Sequence, residues 1–284
     1  MAHRIGRKED LAEALLRLIH DDLEAASREF RSAASREERI HRIRQRLKRV
    51  RAILKVVEPA FGARAVAARR MLSEAARMLA RARDADVAAA SARGLAASTA
   101  PGEDLGFDRV VSTLDQEAAR AHQERTPIGE VNKRLALALA TTASFSADFH
   151  GNQLVDGALR RTYARGRAAM QRAETSLATP DLHHWRKAVK ELWYLLRLLR
   201  KRLPKRALKD MPLLERLGEV LGQDNDHALL AEKLALSPAG DLSLMSQLSL
   251  IASRRNELEA EAFDLGEGLY RRKPKNFGRK FRPS

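Results

Sequence analysis

The chain has 284 residues, 53 Lys and Arg against 37 Asp and Glu, a formal charge of +16 and an apolar fraction of 44%. That is enough apolar material for a core and enough positive charge to favour polyanionic partners. No cysteine is present, which excludes disulfides, thiolate metal sites and a cysteine nucleophile.

Ala, Leu, Arg and Glu dominate, aromatics are only 5%, and no run alternates apolar and polar residues over a strand's length, which predicts an all-α protein. Helices are predicted over residues 8–33, 36–58, 62–81, 84–97, 104–123, 127–148, 152–177, 181–202, 205–219, 223–236 and 242–267. Near the N-terminus, Arg17, Asp21 and Asp22 interrupt the Leu-rich stretch, so no signal peptide is expected. Ser35 with Glu38 forms a capping box before the second helix, and Thr179 with Pro180 reads as N-cap and first helical residue of the eighth. Breaks are expected at Pro59 and Gly62 and again at Leu203 and Pro204, with a loop over residues 98–106 and a lobe junction at His150, Gly151 and Asn152. Residues 1–268 read as one domain of two lobes, about 8–149 and 151–268, and the basic stretch 269–284 as a disordered tail. No run approaches roughly 18 uninterrupted apolar residues, so the expectation is a soluble, cytoplasmic protein with no membrane partner.

One pattern occurs twice. His41, Arg44 and Lys48 recur as His183, Arg186 and Lys190, 142 positions later. The apolar residues Ile40, Ile43, Leu47, Val50, Leu54 and Val57 match Leu182, Trp185, Val189, Leu192, Leu196 and Leu199 at the same displacement, as Leu79, Arg83 and Asp84 correspond to Leu221, Asn225 and Asp226. Three segments sharing one offset point to two copies of a helical unit, related by a pseudo-two-fold, around a shared basic groove.

The residue after each apolar position makes a second stripe: His41, Arg44, Lys48, Arg51 and Lys55 on one helix, His183, Arg186, Lys190, Trp193 and Arg197 on the other. One residue step turns about 100° around a helix, so this stripe flanks the buried seam. Like charges beside a core repel one another and lose hydration, and an anion would offset both. Phosphate suits the set: Arg offers a planar fork, Lys a point charge, and His a donor that becomes cationic near about pH 6.5.

These segments resemble the CHAD family, the conserved histidine α-helical domain. The likeness rests on His41-Arg42-Ile43-Arg44 with Lys48-Arg49-Val50-Arg51, on His183-His184-Trp185-Arg186-Lys187 with Lys190 and Trp193-Tyr194, and on Arg83-Asp84 and Leu221-Gly222-Gln223-Asp224-Asn225-Asp226, over roughly residues 8–268. It implies two similar four-helix bundles around a central basic channel that holds inorganic polyphosphate. It further implies phosphate contacts from Arg49 and Lys187 beside the stripe residues. Trp193 stands where the family pattern usually has Arg before Tyr, which turns that position toward packing.

Asp84 and Asp226 are read as structural support for the basic wall, by capping or by holding a neighbouring Arg. His41 and His183 lack the i+3 or i+4 partners of a zinc site, and neither a P-loop nor a convincing acidic cluster is present, so no metal, cofactor or catalytic residue is expected. The favoured reading is non-catalytic binding of polyphosphate or another polyanion, with association to polyphosphate granules. The alternatives are nucleic-acid binding, which the charge permits although aromatic stacking platforms are scarce, and a phosphohydrolase or phosphotransferase working through a histidine.

Overall fold

The computed structural model describes residues 5–98, 106–123, 127–236 and 242–280, and all of its regular elements are helices. In chain order the first six are α1 (Leu11–Glu29), α2 (Arg36–Phe61), α3 (Ala63–Met78), α4 (Arg81–Ala96), α5 (Phe107–Gln123) and α6 (Ile128–Ala143). They are followed by α7 (Gly151–Ser176), α8 (Thr179–Leu199), α9 (Lys205–Leu208), α10 (Met211–Ala235), α11 (Leu242–Tyr270) and α12 (Pro274–Lys280). The expected loop over 98–106 falls almost wholly outside the described residues.

Two groups of four helices form around interleaved apolar stripes. In the first, α2 packs between α1 and α3, and α6 closes the ring against both. Leu15, Leu18 and Ile19 of α1 meet Ile43, Leu47, Val50 and Leu54 of α2 there, all buried. In the second, α8 packs between α7 and α10, with α11 against α7 and α10. The hairpin α4–α5 leaves the first group and joins the far ends of α10 and α11, where Ala88, Ala92, Leu95, Phe107 and Leu114 share a separate core with Leu230, Leu234 and Ile251. The halves of the sequence are thereby interlocked.

The predicted caps hold in one case and move in the other. Ser35 Oγ accepts the Glu38 N–H at 3.2 Å, as the capping box requires. At α8 the N-cap is Ala178, not Thr179, because the Thr179 hydroxyl is taken by the Arg255 guanidinium at 3.2 Å. Pro59 does not end α2; it sits in the last turn, and the chain reverses at Gly62, whose φ of +49° suits glycine. α6 stops at Ala143 instead of 148 because Phe145 and Phe149 leave the helix to pack on Phe61, with ring centroids 3.9 and 5.6 Å away. At the lobe junction α7 begins at Gly151, where a Cβ would stand 2.7 Å from the Ala12 nitrogen, so only glycine lets α7 start against α1.

Two larger corrections concern the second half. The helices expected over 205–219 and 223–236 are instead a short α9 and one continuous α10, since Gly222 remains helical. The basic tail is not wholly disordered: residues 274–280 form α12, and Phe277 is fully buried with its ring stacked 3.8 Å from that of Tyr163. The Tyr163 hydroxyl lies 3.0 Å from the carbonyls of both Leu269 and Arg272, which fixes the chain entering that helix. One buried aromatic outweighs the local charge. Phe277→Ala is expected to undock α12 at a cost of roughly 3 kcal/mol and to let trypsin cut at Arg271–Lys275 faster than in the wild type; limited proteolysis followed by mass measurement checks this.

Candidate anion-binding site

α2 carries cations on both flanks of its core stripe, and the structure treats the flanks differently. Toward α1, Arg49 holds the Asp22 carboxylate in a fork, Nε to Oδ2 at 3.0 Å and Nη2 to Oδ1 at 2.7 Å. Arg46 reaches Asp22 at 3.2 Å and Glu29 at 3.3 Å, and Arg42 reaches Glu29 at 3.7 Å. Asp22 is only 2% exposed, so these pairs fasten α1 to α2. Arg49, which the family resemblance suggested as a phosphate ligand, is engaged there.

Toward α3 the cations have few carboxylates. The Arg44 guanidinium donates to the Ala76 carbonyl at 2.9 Å, while Lys48 and His41 are exposed one turn to either side. Gln45 Nε2 stands 2.6 Å from His41 Nε2. Further along, Arg51 and Lys55 turn away into the seam between the halves, and Lys55 Nζ donates to Glu191 of α8 at 2.7 Å. Burial, then the nearby Arg69, lowers the Arg51 pKa; burial also lowers that of Lys55, against the attraction of Glu191.

On α8 the equivalent stripe faces α10 across two glycines. A Cβ on Gly218 would lie 3.2 Å from Lys190 Cε and Nζ, and one on Gly222 would lie 3.8 Å from Arg186 Nε. The absent side chains give the cations room to lie along the neighbouring helix. The positions 142 earlier, Ala76 and Ala80, are also small, and Arg44 lies over Ala76. Lys190 is half-buried, and its pKa is lowered by burial first and then by Arg186, with Glu219 and Glu215 pulling the other way. Neither glutamate reaches it within ion-pair distance. Trp193 lies beneath the row: Arg197 sits 4.8 Å and Lys190 5.9 Å from its ring centroid. Lys187 is exposed on the next face.

His183 is fixed more tightly than His41. Its Nδ1 lies 2.5 Å from Asn225 Oδ1, while Asn225 Nδ2 donates to Asp226 Oδ1 at 3.3 Å. The carboxylate orients the amide, the amide oxygen takes the Nδ1 proton, and the ring can donate from Nε2 only when it is cationic. Burial lowers the His183 pKa despite the Asn225 contact, with Lys187, Arg186 and His184 adding repulsion. Asp226 contacts Asn225 from the middle of α10, not from a helix start. Asp84 lies in the first turn of α4 with its side chain exposed. Among the described residues no group of three or more His, Asp or Glu is placed to hold a metal ion.

The two rows approach one another where α2 passes α8. Lys55 meets Glu191, while Arg49 acts with Arg197 and Arg186 on the Tyr194 hydroxyl, whose pKa burial raises. Numbering therefore falls along α2 as it rises along α8, and His41 and His183 lie toward opposite ends of the paired helices.

A family model, that of the CHAD domain, matches residues 14–235. The chain belongs to the CHAD family. Its fold is similar to that in the crystal structure of the CHAD domain from the plant Ricinus communis, at 18% identity, with 94% of each chain covered and a TM-score of 0.66. No curated protein sequence matches the chain significantly. Within this CHAD fold, sequence reasoning missed Glu191 and the small residues Ala76 and Gly218, which had a signal in their shared 142-residue offset; Asn225 stood in the quoted motif, but its hold on His183 was not read from it. Asn225→Leu is expected to release the His183 tautomer, so that ¹⁵N imidazole spectra of neutral His183 change from the Nδ1–H form to a mixture; an unchanged spectrum would show that Asn225 does not hold the ring.

Proposed function

We propose that this protein binds inorganic polyphosphate without turning it over, along the rows formed by His41, Arg44 and Lys48 and by His183, Arg186, Lys187 and Lys190. The observation that carries the reading is Lys190. It is half-buried beside Arg186, lies against a glycine, and no carboxylate of the described residues reaches it within ion-pair distance. Such an arrangement costs stability in the free protein and gains from a guest carrying several negative charges. Membership of the CHAD family supports the same reading.

The double reversal Arg44→Glu with Arg186→Glu removes two charge-assisted contacts of about 1.5–3 kcal/mol each, so affinity for long-chain polyphosphate should fall by roughly 100-fold or more. The charge-matched pair Lys133→Glu with Arg172→Glu, on exposed faces of α6 and α7, should lose much less. Equal losses in calorimetry would mean diffuse attraction and overturn the site. Displacement of the polymer by duplex or single-stranded DNA at matched phosphate concentration and salt would favour the nucleic-acid reading instead.

The pH dependence has a definite sign. In the free protein burial holds the His183 pKa below its usual value of about 6.5, facing His184, Arg186 and Lys187 on its own helix and Asn225 and Asp226 on α10. A bound anion favours the cationic ring and raises that pKa, so binding takes up a proton and tightens as pH falls from about 7.5 to about 5.5. His183→Gln should flatten this dependence; a slope that survives the substitution assigns it elsewhere.

A further inference from the structure

The seam between the two helical groups opens into a cleft of about 560 Å³ bounded by α2, α3, α7 and α8. It lies within the range of about 300–1,000 Å³ usual for small-ligand sites. Lys55, Arg69, Arg161 and Arg165 line it, and Arg51 lies beside it in the field of Arg69 and Glu191. Against these five cations stand two carboxylates, Glu58 and Glu191. Glu58 pairs with Arg69 at 3.0 Å, and Glu191 is shared between Lys55 and Arg165.

Two guanidiniums remain. Arg51 is mostly buried, its Nε has no hydrogen-bond partner, and no ion pair reaches it. Arg161 folds back over Gly157 with its terminal nitrogens toward the cleft rim, without a carboxylate partner among the described residues. A surplus of positive charge with donors left over, in a concave space between two packed groups, is an unfinished ion-pair network. Its composition also sets it apart from the duplicated rows: the positions 142 away from Arg69, Arg161 and Arg165 are Met211, Ile19 and Leu23. Both halves of the chain line it, and it is not duplicated.

We infer that this cleft is a second anion site, separate from the Arg44 and Arg186 rows, that takes a compact group of two or three linked phosphates. Arg161 supplies a vacant fork at the rim, and Arg51 adds positive charge from beside the cleft. Glu191 is the resident counter-ion, and the phosphate oxygens replace it on Lys55 and Arg165. The spread of the cations favours linked phosphates over a single one, because they come from three helices, α2, α3 and α7; phosphate is favoured over carboxylate because the unused donor is a guanidinium, whose planar fork matches a tetrahedral oxyanion carrying more than one charge. The group is either a free oligophosphate or a segment of a longer chain.

Calorimetry with tripolyphosphate and with long-chain polyphosphate separates these sources. Arg161 is exposed and holds no other element, so Arg161→Glu leaves the fold intact, which a thermal melt verifies. If the cleft is the site, tripolyphosphate binds the wild type, Arg161→Glu weakens it tenfold or more, and Glu191→Gln strengthens it several-fold by removing the competitor. The Arg44→Glu with Arg186→Glu variant retains this binding even though it loses the long polymer. Should only the long chain bind and still weaken with Arg161→Glu, the site stands and its occupant is a polymer segment. Indifference of both ligands to Arg161→Glu, or loss of tripolyphosphate binding in the Arg44 and Arg186 variant, overturns the proposal; the latter leaves the polyphosphate reading of the rows untouched.

Discussion

The structure depends on cations held against helix surfaces that have no side chain to cover. Lys190 and Arg186 lie along α10 because Gly218 and Gly222 leave the space, and Arg44 reaches a backbone carbonyl because Ala76 is small. A larger residue at Gly218 would push Lys190 outward into water, where its charge would be well hydrated and of little consequence. Closeness of helices and partial dehydration of charge are here the same fact. Everything else about the site, including the cation–π support from Trp193 and the orientation of His183, maintains that position.

The distribution of carboxylates is as informative as that of the cations. Asp22 and Glu29 neutralise the α1 flank of α2, and Asp224, 2% exposed, holds Arg255 at 2.7 Å between α10 and α11. These are pairs that join helices. The flank facing α3 and the flank of α8 facing α10 have no comparable acid in contact with Lys190, although acids are near at Glu215 and Glu219. Reversing Arg46 or Arg49 would thus be felt as lost stability.

Much of this was legible in the chain. The period of the apolar residues gave the helices, and the 142-residue offset singled out the cations that share a flank, because a repeat filters solvated arginines from those held in register. Arg42 and Arg46 repeat as His184 and Ala188, and they turn out to serve packing. What stayed hidden depended on distant partners. The Arg49 fork needs Asp22, 27 positions away, and the helix across residues 274–280 needs Tyr163, more than a hundred positions earlier. Gly222 reads as a breaker in isolation; it stays helical because the surrounding turns of α10 are buried against α8 and α11. The split of the α2 stripe, with Arg51 and Lys55 turned into the seam, follows from the approach of α8, which no local pattern encodes.

The hairpin α4–α5 carries a consequence for how such a chain can be divided. Its apolar face is completed by α10 and α11, so a gene fragment ending at the junction near Gly151 would encode Ala88, Ala92, Leu95 and Phe107 without the Leu230, Leu234 and Ile251 that cover them. Although the chain reads as a doubled unit, neither half holds this second core by itself, so severing the chain at the junction would disable both.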